Sequence, residues 1–252
     1  MTGYCADLVS VFLFFSVLAP TQAQPDAKEI IRRADELARG KTSQAEITIQ
    51  TIRPTWSREL RMKVWTKGND FAMLLITAPA RDQGTVFLKN DKEVWNWLPS
   101  IERVIKLPPS MMTQSWMGTD FTNDDLVKES SVIDDYIHCY AGEEVIGGRD
   151  CYRIKMIPKP EAAVVWGMIM TWVDKRDYIQ MRAEFYDEDE ELVNTMVSYD
   201  VKLLGGRLLP SRIEMVPAGK KGDKTVMLYT SMRFDQPIED SYFTTQNMKK
   251  VK

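Results

Sequence analysis

Over most of its length this chain repeats apolar residues at every second position, and this period constrains its fold more than any other feature. Ile47 and Ile49 alternate with polar neighbours, and Leu60 and Met62 repeat the pattern. A period of two is typical of a β-strand with one buried face. Turn pairs such as Gly147-Gly148 separate the runs. We therefore predict about eleven to thirteen strands, joined by short hairpins into one antiparallel sheet.

Two stretches extend this pattern. Phe71–Thr77 is apolar at nearly every position, which predicts a strand covered on both faces. Trp166, Met168, Met170 and Trp172 recur at alternate positions, and we predict that they share one face. A length of 252 residues, with 44% hydrophobic and 27% charged residues, fits a single β-rich domain.

The sequence of residues 24–40 predicts an amphipathic helix instead of a strand. Its apolar residues recur at three- and four-residue spacing, namely Ala27, Ile30, Ile31, Ala34, Leu37 and Ala38. Pro25 suits the first turn, and Gly40 suits the position after the last turn. Such a helix buries its stripe most simply against the concave side of the sheet.

The segment before this helix predicts secretion. Leu8–Leu18 is apolar but too short to span a bilayer comfortably. Thr21-Gln22-Ala23 offers the small residues of a signal peptidase site, so we expect residues 1–23 to be a cleaved signal peptide. Met1–Asp7 departs from the usual pattern because it contains no Lys or Arg. Residues 24–252 would then form one monomeric domain in the periplasm.

A methionine-rich segment interrupts the strands. Three short strands precede it, at Thr85–Lys89, Glu93–Leu98 and Glu102–Leu107. Pro108-Pro109 cannot continue a ladder of hydrogen bonds. Met111–Met117 predicts a short apolar helix that begins after Ser110 and ends at Gly118.

A second short helix is predicted to follow, because Thr122 and Asp125 have the spacing of a capping box. Two roles are open for this pair of helices. They either plug one open end of the sheet or form a movable lid over an apolar cavity. Flexible methionine side chains suit both roles, so the residues alone do not decide between them.

The same region carries a resemblance to a known family. The phrases are GTVFLK (84–89), WNWLP (95–99), RVIKLPPSMM (103–112) and MGTDFTNDDL (117–126). In this order and spacing they resemble the outer membrane lipoprotein-sorting proteins, a LolA-like family of exported bacterial proteins. The match continues through residues 142–160 and 172–187. The resemblance implies a mainly β (α+β) fold, an incomplete antiparallel β-barrel of about eleven strands with an N-terminal helix and short lid helices over its concave face.

The resemblance also implies a hydrophobic cavity for acyl chains, and barrels with spare interior space do hold apolar ligands. We expect the cavity and its lid to be lined by a set of apolar side chains. These are Ile47, Ile49, Leu60, Met62, Phe87, Trp95, Trp97, Met111, Met112, Trp116 and Met117.

The expected function is that of a periplasmic carrier, which shields the acyl chains of a lipid or lipoprotein and passes it between membranes. Similar proteins also serve exporters of the RND type. The expected partners are therefore an inner-membrane donor, such as an RND-type transporter, and an outer-membrane acceptor. The alternative is a periplasmic binding or docking module without transport, acting as an envelope sensor or as an accessory subunit of an RND-type exporter.

Little in the sequence indicates catalysis, a cofactor, a metal site or nucleic-acid binding. His138 is the sole histidine, and the chain has no G-x-S-x-G, H-E-x-x-H or P-loop pattern. The acidic run Asp187–Glu191 lacks the central glycine and the spacing of a calcium loop. The formal net charge of −3 and the absence of a basic run with aromatics argue against nucleic acid. We expect a protein that is not an enzyme and has no cofactor.

Two cysteines lie in one predicted hairpin. If Gly147-Gly148 forms a two-residue turn, Cys151 faces Glu144 and Cys139 faces Met156. That register holds the two sulfurs too far apart to bond. We therefore predict free thiols.

Overall fold

Thirteen antiparallel strands form one open sheet in the computed structural model, which describes residues 25–128 and 132–251. The predicted signal peptide lies outside the described residues. Within the described ranges, no helix has both the length and the apolar character needed to cross a membrane. The mainly β fold is confirmed, and the strand number lies at the upper end of the predicted range.

The bounds of the strands are β1 Thr42–Arg53, β2 Trp56–Lys67, β3 Phe71–Ala78, β4 Val86–Asn90, β5 Glu93–Leu98, β6 Arg103–Lys106, β7 Tyr136–Ile146, β8 Arg149–Pro158, β9 Met168–Asp174, β10 Gln180–Tyr186, β11 Leu192–Leu204, β12 Arg207–Pro217 and β13 Lys224–Phe234. Their order across the sheet is β6-β5-β4-β3-β2-β1-β13-β12-β11-β10-β9-β8-β7. Strands β6 and β7 follow each other in the chain but lie at opposite edges of the sheet. The sheet is therefore not closed into a barrel, and the chain between these strands joins its two free edges.

The predicted helix is confirmed as α1 (Ala27–Arg39). It begins at Asp26, whose Oδ1 accepts hydrogen bonds from the backbone N–H groups of Lys28 and Glu29 at 3.0 and 3.2 Å. It ends at Gly40, where φ is 65°. Helix α1 contacts β7 and β9, and we call the face of the sheet that carries it the inner face.

Strand β3 is buried on both faces, as predicted. Leu74 and Ile76 belong to the inner core, together with Ile31 of α1. Met73 and Leu75 belong to a second cluster on the opposite, outer face. The cover on that outer face is the C-terminal segment, residues 235–251.

This C-terminal segment packs through aromatic and apolar side chains. Phe243 is fully buried and stacks on Phe71, with ring centroids 5.3 Å apart. Met248 is also buried in the outer cluster, and Tyr242 lies 5.6 Å from Trp65, measured between ring centroids. The sheet therefore has a core on each face over β2–β5.

The cysteine prediction is confirmed, although one part of the register was wrong. Cys139 and Cys151 are free thiols, and Cys151 pairs with Glu144 as predicted. Cys139 pairs with Lys155 and not with Met156, because a bulge between Tyr140 and Glu143 shifts the register by one residue. Burial raises the pKa of the Cys151 thiol to about 11.

Candidate functional site

The connecting segment, residues 107–128, closes one end of the inner face, but it does not contain the predicted helix Met111–Met117. It forms 3₁₀ turns at Pro109–Met111 and Trp116–Gly118 and one π-helical turn at Asp124–Lys128. Pro108, not Ser110, precedes the first turn. Met117 has a φ of 48°, in the left-handed region, so a continuous helix through it is excluded.

Backbone and side-chain hydrogen bonds hold this segment in a compact loop. Trp116 N–H donates to the Phe121 carbonyl at 2.8 Å, and Asn123 Nδ2 donates to the Met111 carbonyl at 2.8 Å. The predicted capping box is confirmed. Asp125 N–H donates to Thr122 Oγ1 at 3.1 Å, and Thr122 N–H donates to Asp125 Oδ2 at 2.8 Å.

Asp120 ties the connecting segment to the sheet. Its carboxylate accepts two hydrogen bonds from the Arg53 guanidinium, at 2.9 and 3.0 Å, and one from Thr225 Oγ1 at 2.7 Å. Its carbonyl accepts a bond from Asn194 Nδ2 at 3.2 Å. Arg58 Nη1 adds a bond to the Met117 carbonyl at 3.2 Å. These contacts fasten the connecting segment to β1, β2, β11 and β13, which favours the plug over the movable lid.

The predicted site residues divide into three groups. Buried in the inner core are Ile47, Ile49, Leu60, Met62, Phe87, Met112 and Trp116. Partly buried against that core are Met111 and Met117. Packed instead against the outer cluster are Trp95 and Trp97.

We expected Trp95 and Trp97 to line the cavity together with Ile47, and the structure places them on the other face. In β5 the residue that belongs to the inner core is Val94, so the alternation turns both tryptophans outward. Sequence could not distinguish the two faces here, because the C-terminal segment makes the outer face apolar as well.

The larger of two chambers on the inner face has a volume of about 320 Å³. It lies between α1, the connecting segment and strands β7–β12, and its walls are largely apolar. Representative wall residues are Ile31, Ala34, Phe121, Ile169, Phe185 and Met215. None of these was among the predicted site residues, although the alternation at Phe185 and the stripe on α1 would have indicated inward side chains.

The smaller chamber has a volume of about 160 Å³ and lies on the other side of α1, against β1–β3 and β13. Ile47 and Met62, both predicted, line it with Ala45 and Met227. The C-terminal half of α1 borders both chambers, since Asp35, Ala38 and Arg39 line each of them. The inner face therefore offers two apolar spaces that share the C-terminal half of α1 as a wall.

An ion pair of α1 lines both chambers. Arg39 Nη2 lies 3.1 Å from Asp35 Oδ1, one helical turn away, and their side chains are only 19% and 14% exposed. A partly buried ion pair is weak evidence for stability, because desolvation offsets its Coulomb energy. A molecule that entered both chambers would meet this pair in each of them, because Asp35 and Arg39 line both.

The larger chamber also has a polar end next to the connecting segment. Trp166 Nε1 donates to Asp125 Oδ1 at 3.0 Å, and both residues line the chamber. Burial raises the pKa of the Asp125 carboxyl, and the nearby Asp124 adds to the effect. Burial likewise raises the pKa of the Tyr136 phenol in the same wall. The sequence indicated only the capping role of Asp125.

Comparisons with known proteins agree with this geometry. A family model described as "Uncharacterized protein" matches residues 68–250. A LolA superfamily protein from Nitrosomonas europaea is 25% identical, with a TM-score of 0.76, over 88% of this chain and 99% of that one. A protein from Vibrio parahaemolyticus described as a putative outer membrane lipoprotein-sorting protein domain is 21% identical, with a TM-score of 0.79, over 88% and 98% of the two chains. A DUF1329 family protein from Desulfovibrio piger is 23% identical, with a TM-score of 0.80, over 88% and 97%. No curated protein matches the chain.

Proposed function

Because this chain belongs to a LolA-like family, we propose that it is a periplasmic carrier that shelters the acyl chains of a lipid or lipoprotein and moves it between membranes. No covalent chemistry is required for this task. The protein has to cover apolar surface that water would otherwise contact and then release it to an acceptor.

The observation that carries this proposal is the pair of apolar chambers beneath α1, of about 320 and 160 Å³. A chamber walled by residues such as Ile169 and Met215 provides no partner for a polar ligand along most of its surface. An acyl chain suits it, because each buried methylene contributes about 0.8 kcal/mol. Twelve methylenes would contribute on the order of 10 kcal/mol before the cost of ordering the chain.

Helix α1 is the element that borders both chambers, so we assign entry to its C-terminal half and not to the connecting segment. Asp120 and its partners hold that segment in place. In the last turn of α1, the carbonyls of Glu36 and Leu37 accept hydrogen bonds from Arg207 Nη1 at 2.9 and 3.0 Å. The Asp35–Arg39 pair would face the polar head of the cargo at this entrance.

The proposal includes an inner-membrane donor, of which an RND-type transporter is one class, and an outer-membrane acceptor. It also includes export through the signal peptide, so that the carrier works as a monomer in the periplasm. N-terminal sequencing of the exported protein should give Gln24 as its first residue. Retention of Met1 would contradict export by cleavage.

The test of carriage is transfer between membranes. Donor vesicles containing a fluorescent phospholipid are mixed with unlabelled acceptor vesicles, with and without the protein, and appearance of label in the acceptor is followed. A carrier accelerates transfer in proportion to its concentration. A protein that binds acyl chains but leaves the transfer rate unchanged would be a binding module, such as an envelope sensor or an accessory subunit.

A further inference from the structure

A second concave feature lies on the outer face, away from the acyl chambers. It is a groove of about 550 Å³ between the β5–β6 edge and the C-terminal segment. Its walls include Trp95, Lys106, Lys249 and Lys250. We call this feature the basic groove. None of these four residues lines either chamber beneath α1.

The basic groove concentrates positive charge on a chain whose formal net charge is −3. Lys106 forms an ion pair with Glu93. Lys249 and Lys250 are exposed on the C-terminal segment. The charge therefore opposes the balance of the whole molecule, and it sits where solvent and a large partner can both reach it.

Two tryptophan rings lie directly under these ammonium groups. Lys106 Nζ is 5.9 Å from the centre of the Trp95 ring, and Lys249 Nζ is 5.4 Å from that of Trp97. Tryptophan and lysine together are typical of surfaces at the membrane interface, where the ring sits at headgroup level and the cation meets phosphate.

The register of β6 shows which of its side chains belong to the groove. Strand β6 is a free edge of the sheet, and Lys106 pairs with Trp95, so both side chains lie on the outer face with the groove. Ile105 is 41% exposed but pairs with Asn96, so it faces the opposite side of the sheet and lies outside the groove.

We propose that the basic groove forms a docking surface for a bilayer rich in anionic phospholipid. The phosphate groups would meet Lys106, Lys249 and Lys250, while the Trp95 ring would lie at the level of the headgroups. The surface is separate from the acyl chambers and would hold the protein against a membrane while α1 faces its cargo.

The experiment is co-sedimentation of the exported protein with vesicles of 30% phosphatidylglycerol and 70% phosphatidylcholine, compared with pure phosphatidylcholine. The test variant is Lys106→Gln/Lys249→Gln/Lys250→Gln. The matched control is Lys202→Gln/Lys220→Gln/Lys221→Gln, which removes the same charge from other exposed positions. We expect binding to the anionic vesicles that weakens with salt. The groove variant should lose at least roughly tenfold in vesicle partition, and the control less than about twofold.

Ile105→Ser, on the opposite face of β6, is a second control and should leave binding to the same vesicles unchanged. The affinity of all variants for a fluorescent acyl probe should stay unchanged, so failure of docking is distinguishable from failure of acyl binding. The proposal is overturned if the protein ignores anionic vesicles, or if the groove and control variants lose binding equally. It is also overturned if the protein binds an acidic polypeptide such as polyglutamate but does not bind the anionic vesicles.

Discussion

Asp120 in the connecting segment and Arg53 at the end of β1 form a two-bond ion pair, at 2.9 and 3.0 Å, that fixes the closed end of the inner face. The side chains are 7% and 15% exposed, so solvent screens them little. This contact assigns the MGTDFTNDDL stretch a structural role. Its aspartate joins the plug to the sheet, and its Thr122 and Asp125 cap the turn that follows.

We predict that Asp120→Ala lowers the free energy of unfolding by about 3 kcal/mol, because it leaves the Arg53 guanidinium without its main partner. Urea denaturation followed by tryptophan emission measures the loss. Asp223→Ala is the control, since Asp223 lies 3.4 Å from the same guanidinium in a more exposed position. An equal loss in the two variants would contradict a latch centred on Asp120.

The plug assignment makes a second prediction at Met112, which is 6% exposed in the inner core. Met112→Glu buries a carboxyl group and should destabilise the fold by several kcal/mol. Met111→Glu is the matched control, because Met111 is only partly buried against the same core and should cost less. A movable lid would give the opposite result. The unfolding midpoint would then change little in Met112→Glu, while affinity for an acyl probe would fall sharply.

The two chambers can be filled separately. Ala34 lines the larger chamber and Ala45 the smaller one. Ala34→Phe and Ala45→Phe each add a ring to one space, at a cost in stability of about 1–3 kcal/mol. We expect Ala34→Phe to weaken binding of a single-chain acyl probe at least tenfold, and Ala45→Phe to weaken it by less. Fluorescence titration of both variants, corrected for folded fraction, measures this. Equal affinities in wild type and Ala34→Phe would mean that the larger chamber is not the acyl site.

The general architecture was predictable because its signals are local. Alternation of apolar residues gave the strands, and the stripe from Ala27 to Ala38 gave α1 and its contact with the sheet. The apolar run at Phe71–Thr77 correctly indicated burial on both faces of β3. The sequence did not reveal that the C-terminal segment supplies the second cover, because contacts such as Phe71–Phe243 join distant parts of the chain.

Three predictions were wrong. Trp95 and Trp97 were expected on the inner face, but an apolar outer layer lets large side chains face either way. Trp166 and Trp172 were expected on one face, yet Trp166 precedes β9 and packs in the inner core, whereas Trp172 packs in a separate cluster with Cys151. The helix at Met111–Met117 was wrong because the backbone of Met117 is left-handed, a conformation that side-chain hydrophobicity does not report.

Asp125 provides a test in the pH dependence of stability. Burial raises its pKa in the folded protein above the unfolded value of about 3.9. The folded state then binds this proton more tightly, so the group favours folding at low pH. That contribution is lost as pH rises from about 3.9 through the raised folded pKa.

Asp125→Asn removes this pH-dependent contribution to the free energy of unfolding. The free energy of unfolding of wild type minus that of the variant should therefore fall as pH rises across that window. The difference is the quantity to follow, because surface carboxyls such as Asp177, whose pKa Arg176 and Arg149 lower, change stability in the opposite sense. Urea denaturation at several pH values from 3.5 to 8 provides it. A difference that rises or stays constant with pH would contradict a raised pKa of Asp125 in the folded protein.

The most direct test of the central claim is native mass spectrometry of the protein recovered from the periplasm without detergent, followed by identification of any bound lipid. If the chambers beneath α1 carry acyl chains, wild type shows adducts with the masses of acylated lipids, and Ala34→Phe shows far fewer at the same folded fraction. Wild-type protein that carries no acylated species, and takes up none from added phospholipid, would contradict the assignment of this protein as a lipid carrier.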